Sequence, residues 1–226
     1  MYKISPSAIG ALLECPRCLW LFANENLKRP RGIYPSLPDG MDEVFKSYFD
    51  SYRQKGEVPP EIDGKVDGTL YTDLEKLSRW RDIDYGRGGF AAEFPEIQIV
   101  LRGAIDDLLV NDRGEYVPFD FKTRGMKNKE DTHKHYQHQL DLYSLLFREN
   151  GLKPASYGYL LFFWPKAYEA GQTTFEHQLV KMDISPDEGY KLLEKVYQIA
   201  SSEEPASHEE CEYCLYRSFL EKNNNS

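Results

Sequence analysis

Three acids and a lysine lie within two apolar stretches of this chain, Arg102-Gly-Ala-Ile-Asp-Asp-Leu-Leu-Val110 and, after a short turn, Tyr116-Val-Pro-Phe-Asp-Phe-Lys122. Both stretches have the apolar content of β-strands, and Asn111-Asp-Arg-Gly114 between them has the composition of a hairpin turn. Because side chains alternate along a strand, Asp120 and Lys122 project from one face and the two neighbouring phenylalanines from the other. The sequence therefore predicts a hairpin that carries a charged site.

The acidic side chains of this hairpin favour a metal site. Asp106 lies one strand before Asp120, and two carboxylates on neighbouring strands can share a hard divalent cation, which prefers oxygen ligands. Lys122 beside them can polarise a water molecule or stabilise developing negative charge. The alternative is that both aspartates make ordinary turn or edge hydrogen bonds while Lys122 extends its ammonium group to solvent.

Length and composition are those of a globular protein. The chain has 226 residues, of which 41% are hydrophobic and 14% aromatic, enough to bury one sizeable core. No apolar run approaches the roughly 20 residues that a membrane helix needs. The N-terminal residues lack the apolar region of a secretion signal. We therefore expect a cytoplasmic protein with no membrane partner.

Basic residues follow the hairpin directly, although the chain as a whole is acidic. The formal net charge of −9 argues against a protein that coats nucleic acid by bulk electrostatics. From Lys122 to His138, however, five lysines and arginines stand against two acids. A solvated helix face would explain this run, but its position after Lys122 favours a phosphate-facing patch. The candidate nucleic-acid-binding residues are Arg124, Lys127, Lys129 and Lys134.

Apolar periodicity and capping residues predict the other elements. The predicted helices cover residues 6–15, 41–52, roughly 70–80, about 131–150 and 185–200, with short helical segments after Pro16 and Cys214. The predicted strands cover residues 90–94, 97–101, the two arms of the hairpin, 157–164 and 173–183. Strands and helices in this order indicate an α/β layered domain.

Two Cys-x-x-Cys pairs, Cys15/Cys18 and Cys211/Cys214, contain all four cysteines of the chain. Paired thiolates at this spacing are typical of a metal site in a cytoplasmic chain, where disulfides, the alternative, are rare. A metal held by both pairs would join residues 1–30 to residues 205–221 as a structural clamp.

Several of these motifs together resemble the PD-(D/E)XK nuclease superfamily. Gly103-Ala-Ile-Asp106 and Asp120-Phe-Lys122 match its active-site motifs, and Gln139-Leu-Asp-Leu-Tyr143 resembles the Gln-hydrophobic-x-x-Tyr motif of its RecB-like branch. The opening Ile4-Ser-Pro-Ser7 and the Cys15-Pro-Arg17 segment are also similar to that branch. It includes the nuclease domains of recombination helicase–nucleases and a CRISPR-associated exonuclease. The resemblance implies a restriction-endonuclease-like core, a mixed central sheet flanked by helices, in one nuclease domain over residues 1–226.

The resemblance also implies a role for each matching residue. Asp106 and Asp120 hold Mg²⁺ or Mn²⁺, and Lys122 positions or activates the attacking water. Gln139 and Tyr143, four residues apart on one helix face, support the site or touch the nucleic acid strand.

A further metal ligand is less certain from the motifs alone. RecB-like members often carry a histidine on the helix before the sheet, but Gly40-Met-Asp-Glu-Val-Phe-Lys46 contains none, so Asp42 or Glu43 can substitute or lie on the surface. Glu93, on the strand before Asp106, is a third candidate divalent-metal ligand, unless it is an ordinary edge-strand acid. We expect Asp107, which points away from Asp106, to be structural.

The cysteine pairs are similar to those of RecB-like members that hold an iron–sulfur cluster. Those proteins typically use one N-terminal and three C-terminal cysteines, whereas this chain has two and two. Both a [4Fe–4S] cluster and Zn²⁺ therefore remain possible at the four thiolates.

Together these features predict a Mg²⁺- or Mn²⁺-dependent deoxyribonuclease that hydrolyses phosphodiester bonds. The resemblance implies an exonuclease on single-stranded DNA ends in DNA repair, recombination or CRISPR-type defence, with a helicase or CRISPR-adaptation protein as partner. The rival hypothesis is a catalytically inactive nucleic-acid-binding or assembly module that retains the nuclease fold. The missing histidine and the acidic net charge favour the rival, while the intact Asp-x-Lys motif opposes it.

Overall fold

The computed structural model describes residues 1–30, 36–82 and 88–224. Within these ranges the helices and strands follow the order predicted from the sequence, with two short strands added near the N-terminal half. The helices are α1 (Pro6–Leu13), α2 (Pro16–Glu25), α3 (Ser36–Arg53), α4 (Leu74–Arg81), α5 (Gln137–Glu149), α6 (Pro186–Ala200) and α7 (Glu212–Asn224). The strands are β1 (Tyr2–Ile4), β2 (Thr69–Leu70), β3 (Phe90–Phe94), β4 (Ile99–Gly103), β5 (Asp107–Val110), β6 (Tyr116–Thr123), β7 (Tyr157–Glu169) and β8 (Gln172–Asp183).

The strands form two mixed sheets flanked by helices. The first sheet has the order β1-β4-β3, with β1 parallel to β4. The second has the order β2-β5-β6-β7-β8, in which β6 and β7 are parallel and the other pairs antiparallel. The chain leaves the first sheet at Gly103, where a Cβ atom would lie 3.0 Å from the Pro6 ring. The predicted mixed α/β fold is thus confirmed, with its strands divided between two sheets.

The central hairpin has the predicted turn chemistry. Asn111 Oδ1 accepts hydrogen bonds from the backbone N–H groups of Arg113 and Glu115, each at 3.0 Å. Gly114 has a φ of 72°, a left-handed conformation that glycine adopts without steric cost. The turn fixes the register in which Asp107 pairs with Phe119 across β5 and β6. The middle of β6 lies next to the bend before β5, where the backbone N–H of Phe121 donates to the side chain of Asp106.

Two apolar clusters bury both faces of the second sheet. One cluster lies between the two sheets and helices α1, α5 and α6, and includes Leu101, Leu146 and Leu160. The other covers the opposite face, where Phe49 of α3 packs against Phe119 and Phe121. Burial on both faces explains why β7 begins as a continuous apolar run. It also confirms that the phenylalanines of β6 face away from Asp120 and Lys122.

Some element bounds differ from the predictions for identifiable reasons. A 3₁₀ segment, Thr132–Tyr136, precedes α5, so the α-helix begins later than predicted. Strands β7 and β8 extend as a hairpin into residues 165–174, which are exposed and therefore lack an apolar pattern. Helix α3 begins at Ser36 rather than Met41, because Pro38 is tolerated in a first turn.

A serine caps the N-terminus of α6. Ser185 Oγ accepts hydrogen bonds from the backbone N–H groups of Asp187 and Glu188, as expected of an N-cap serine, but the Ser185 N–H donates to Asp141 Oδ1 in place of Glu188. Among the described helices, none combines the length and the apolar character needed to cross a membrane.

Candidate active site and metal centres

The bend before β5 and the middle of β6 meet at a charged site. Asp106 lies in the bend just before β5, where its Oδ2 accepts a hydrogen bond from the backbone N–H of Phe121 at 3.1 Å. Asp120 and Lys122 lie on β6 and form an ion pair with each other. Asp120 is 1% exposed and Lys122 is largely buried. The structure thus brings the three predicted motif residues together around one point.

Helix α5 contacts the charged site through Gln139. Gln139 Nε2 donates one hydrogen bond to Asp120 Oδ1 at 3.2 Å and another to Tyr143 Oη at 2.8 Å. The two residues are one helical turn apart, so the Tyr143 hydroxyl lies within reach of the Gln139 amide. Gln139 orients the Asp120 carboxylate, and Tyr143 holds Gln139 in place. These contacts give a physical basis to the predicted pairing of the two residues.

The two carboxylates have different electrostatic environments. Burial raises the pKa of Asp120 to about 8, against the opposing effect of Lys122 and with support from the Asp106 charge. Burial would also raise the pKa of Asp106, but the ammonium groups of Lys46 and Lys122 outweigh it and hold that pKa below its usual range. A divalent cation between the carboxylates would supply the positive charge that Asp120 needs to ionise.

Lys122 is a cation at this site and not a base. Burial opposes its charge, but the carboxylates of Asp120 and Asp106 raise the pKa of the ammonium group above its ordinary value. The ammonium also lies 4.9 Å from the ring centroid of Tyr136, a cation–π contact. In this state Lys122 can donate hydrogen bonds to a water molecule or a phosphate oxygen.

Helix α3 adds an acid and a lysine to the site. Lys46 Nζ lies 2.5 Å from Asp42 Oδ2 and 3.1 Å from Asp106 Oδ1. Burial and the neighbouring Asp106 charge raise the pKa of Asp42 above its ordinary value. Sequence reasoning missed Lys46. The available signal was its position one helical turn after Asp42, which places both side chains on one face of α3.

The three candidates for a third acidic ligand occupy different places. Asp42 is half-buried beside Asp106, as the contacts of Lys46 show. Glu43 is exposed. Glu93 is exposed on β3 of the first sheet, where the alternate residues Ala92 and Phe94 are buried. Asp42 therefore lies at this site through its contact with Lys46, and metal binding by Glu93 stays a prediction.

Asp107 belongs to a separate, buried ion-pair network. Its side chain is fully buried and accepts hydrogen bonds from the guanidinium groups of Arg53 and Arg81. Asp50 pairs with both arginines from the other side. Arg81 Nε also donates to the backbone carbonyl of Asp106 at 2.7 Å. The network therefore fixes the backbone that carries Asp106, and sequence reasoning did not identify its arginines.

The predicted basic residues lie between β6 and α5. Lys127, Lys129 and Lys134 are exposed, and Lys134 pairs with Asp131. Arg124 is half-buried and continues β6, with its backbone N–H bonded to the carbonyl of Phe163 at 2.8 Å. Nucleic-acid binding by these four residues stays a prediction.

The four cysteines lie together at the junction of α2 and α7. All are buried, none forms a disulfide, and their four Sγ atoms lie within 4.8 Å of one another. Cys18 Sγ is 3.6 Å from the sulfurs of both Cys211 and Cys214, and Cys15 Sγ is 3.8 Å from that of Cys214. Burial would raise the pKa of Cys15, but hydrogen bonds from the backbone of Cys18 and His208 lower it to about 6. A thiolate at this position suits a metal ligand.

Most of the chain is similar in sequence to a known family. A sequence model of the PD-(D/E)XK nuclease superfamily matches residues 3–219. No curated protein is similar enough to count as a match. Among solved structures, 13 chains match, including one titled "Crystal structure of SSO0001". That structure shares 16% sequence identity, with a TM-score of 0.42, over 96% of this chain and 84% of its own.

Proposed function

The chain belongs to the PD-(D/E)XK nuclease superfamily, and we propose that it is a Mg²⁺- or Mn²⁺-dependent deoxyribonuclease with its active site at Asp106, Asp120 and Lys122. The observation that carries the proposal is the position of the buried Asp120 carboxylate. It lies between the Lys122 ammonium and the Gln139 amide, next to Asp106. A buried carboxylate held in this way is not needed for packing, whereas hydrolysis of a phosphodiester needs such a group to hold a cation.

The residues present fit a hard divalent cation. Asp120 Oδ2 is buried, and within the described parts of the chain it accepts no hydrogen bond of ordinary geometry, although Lys122 faces it. The candidate metal-ligand atoms here are carboxylate oxygens of Asp106 and Asp120, and Mg²⁺ and Mn²⁺ prefer oxygen ligands. Asp106 and Asp120 would hold the ion. Once bound, the ion would neutralise charge on the phosphate and make a coordinated water more acidic.

The protein side chains then have distinct tasks. The Phe121 N–H and the Gln139 amide fix the two carboxylates, so little reorganisation is needed when a cation and a phosphate arrive. Lys122, as an ammonium group, positions the attacking water and stabilises negative charge on the phosphate. Tyr143 acts through Gln139 and is a positioning residue.

The proposed substrate is DNA with single-stranded ends. The contacts of Gln139 and Tyr143 support placement in the RecB-like branch, because the motif residues meet the active site from one helix face. The basic residues that follow β6 support a strand path leading to the site. We accordingly propose an exonuclease in DNA repair, recombination or CRISPR-type defence, with a helicase or a CRISPR-adaptation protein as partner.

For the four cysteines we propose one tetrahedral Zn²⁺ ion. Four thiolates at about 2.3 Å from a central zinc stand about 3.8 Å apart. The closest sulfur pairs are 3.6–3.8 Å apart, and no separation exceeds 4.8 Å. A [4Fe–4S] cluster binds each thiolate to a different iron, with sulfides between them, so its ligands stand further apart than those of one ion. Metal analysis should give one zinc per chain and no iron; iron with visible absorption in anaerobically purified protein would contradict this.

The experiment that tests the proposed function uses the full-length, zinc-replete protein. Single- and double-stranded DNA labelled at one end are incubated with Mg²⁺, Mn²⁺ or a chelator. Progressive shortening of the single strand in Mg²⁺ or Mn²⁺, absent with the chelator, is expected. If folded protein leaves both DNA forms intact in both metals, the proposal is wrong. DNA binding that survives chelation without any cleavage would instead identify an inactive binding module.

A further inference from the structure

Lys46 lies at the proposed active site but is not part of the nuclease motifs. Its ammonium group lies between two carboxylates, 2.5 Å from Asp42 and 3.1 Å from Asp106. The side chain is only 21% exposed. An ammonium shared in this way occupies the place where a divalent ion bridging Asp42 and Asp106 would have to sit, because such an ion needs the same oxygens at similar or shorter distances.

The charges of the site point in the same direction. Asp42, Asp106 and Asp120 face the ammonium groups of Lys46 and Lys122. With every group ionised, three acids and two lysines leave one net negative charge, which a single divalent cation already overcompensates. Two-metal nucleases place two divalent ions about 3.5–4 Å apart and need carboxylates free to receive both. Here Lys46 already neutralises the carboxylates on one side of Asp106.

Lys46 also lines an open cavity. Asp42, Lys46, Leu74, Ser78 and Arg81 are among the residues around a cavity of about 500 Å³ between α3 and α4. A phosphate or a departing oxygen at the site is therefore within reach of this ammonium from the solvent side. Lys122 reaches the site from β6, where it pairs with Asp120.

We propose that Lys46 is the resident second cation of the site, so that the enzyme uses one divalent ion, held by Asp106 and Asp120, and one ammonium group. This proposal rests on the proposed nuclease function. Lys46 stabilises negative charge on the phosphate or the leaving oxygen, as the second ion does in a two-metal site. Asp42 holds the lysine in place and does not bind the divalent ion.

The test is the number of Mn²⁺ ions bound by the zinc-replete full-length protein, measured by titration calorimetry and by electron paramagnetic resonance of free Mn²⁺. Wild type is expected to bind one ion. Lys46→Met keeps the aliphatic volume but removes the charge, and it should bind two. Lys76→Met, which removes an exposed lysine of α4, is the matched control and should bind one. Asp106→Asn should bind none, which assigns the count to this site.

Cleavage provides a second readout of the same count. The rate should rise with the first power of Mn²⁺ concentration in wild type and with the second power in Lys46→Met. Lys46→Arg keeps the positive charge and should bind one ion. It serves as the second variant if Lys46→Met does not fold.

The outcomes separate the two proposals. Two ions in wild type, or one ion with unchanged affinity in folded Lys46→Met, overturns the role of Lys46 and leaves the nuclease function standing. No Mn²⁺ bound by folded wild type overturns both.

Discussion

Substitution of the adjacent residues Asp106 and Asp107 should affect different properties: Asp107→Ala should lower stability, and Asp106→Asn should abolish Mn²⁺ binding. Asp107→Ala removes the fully buried acceptor of Arg53 and Arg81 and leaves two guanidinium groups facing each other. Removing one partner of a buried ion pair costs about 3–5 kcal/mol of folding free energy. Asp50 still pairs with both arginines, so we expect the lower end of that range.

The cost can be converted into a change of melting temperature. For a protein of this size, 1 kcal/mol lowers the melting temperature by about 2–4 °C, so Asp107→Ala should melt about 6–12 °C below wild type. Asp106→Asn should lower the melting temperature less than Asp107→Ala does, because the new amide oxygen still accepts from the Phe121 N–H and Lys46 still pairs with Asp42. Only Asp106→Asn should lose Mn²⁺ binding.

The assay combines guanidinium unfolding with Mn²⁺ titration on both variants. A loss of stability in Asp107→Ala with Mn²⁺ binding retained at a temperature where it is folded is the expected result. Asp107→Ala that unfolds at the wild-type denaturant concentration would refute the structural role of the arginine network. Asp106→Asn that still binds Mn²⁺ would refute the assignment of the metal site.

Three further predictions concern the carboxylate, the metal and the cysteines. Gln139→Ala removes a hydrogen bond to a charged acceptor, worth about 1.5–3 kcal/mol, and single-turnover cleavage should slow about 10- to 100-fold; an unchanged rate would exclude its orienting role. Because the folded pKa of Asp120 is raised to about 8, its contribution to stability is complete below its unfolded pKa and is lost as pH rises through about 8. Metal-free protein should therefore lose stability as pH rises over that window, while its affinity for Mn²⁺ rises. If Mn²⁺ raised the free energy of unfolding by the same amount at pH 5 and at pH 9, this prediction would be contradicted. Cys211→Ser should bind no zinc and melt lower, since metal binding is coupled to folding; one zinc per chain with an unchanged melting temperature would contradict the Cys₄ site.

The local features of the fold could be predicted from the sequence because their causes are local. Turn chemistry at Asn111–Gly114 and the two-residue period of β6 place Asp120 and Lys122 on one face. The four-residue spacing of Gln139 and Tyr143 likewise depends only on helix geometry. The cysteine pairs could be expected to meet because a metal gives them a common partner.

The remaining features depend on contacts between distant segments. Asp107 meets Arg53 and Arg81 across 54 and 26 residues, and no periodic pattern marks an arginine as the partner of a particular acid. Lys46 reaches Asp106 only because α3 packs on the second sheet. Glu93, a candidate ligand because of the strand it lies on, is exposed on the first sheet, and its metal binding stays a prediction.

The rate of single-turnover cleavage in Mn²⁺ shows whether Asp120 and Lys122 form the active site. Wild type, Asp120→Asn and Lys122→Met are compared on one end-labelled single-stranded DNA, each after its fold and zinc content are verified. If Asp120 and Lys122 build the active site, each substitution should slow cleavage on the order of 100-fold or more. Cleavage by either variant at the wild-type rate would contradict the account, because the phosphodiester bond would then be hydrolysed elsewhere.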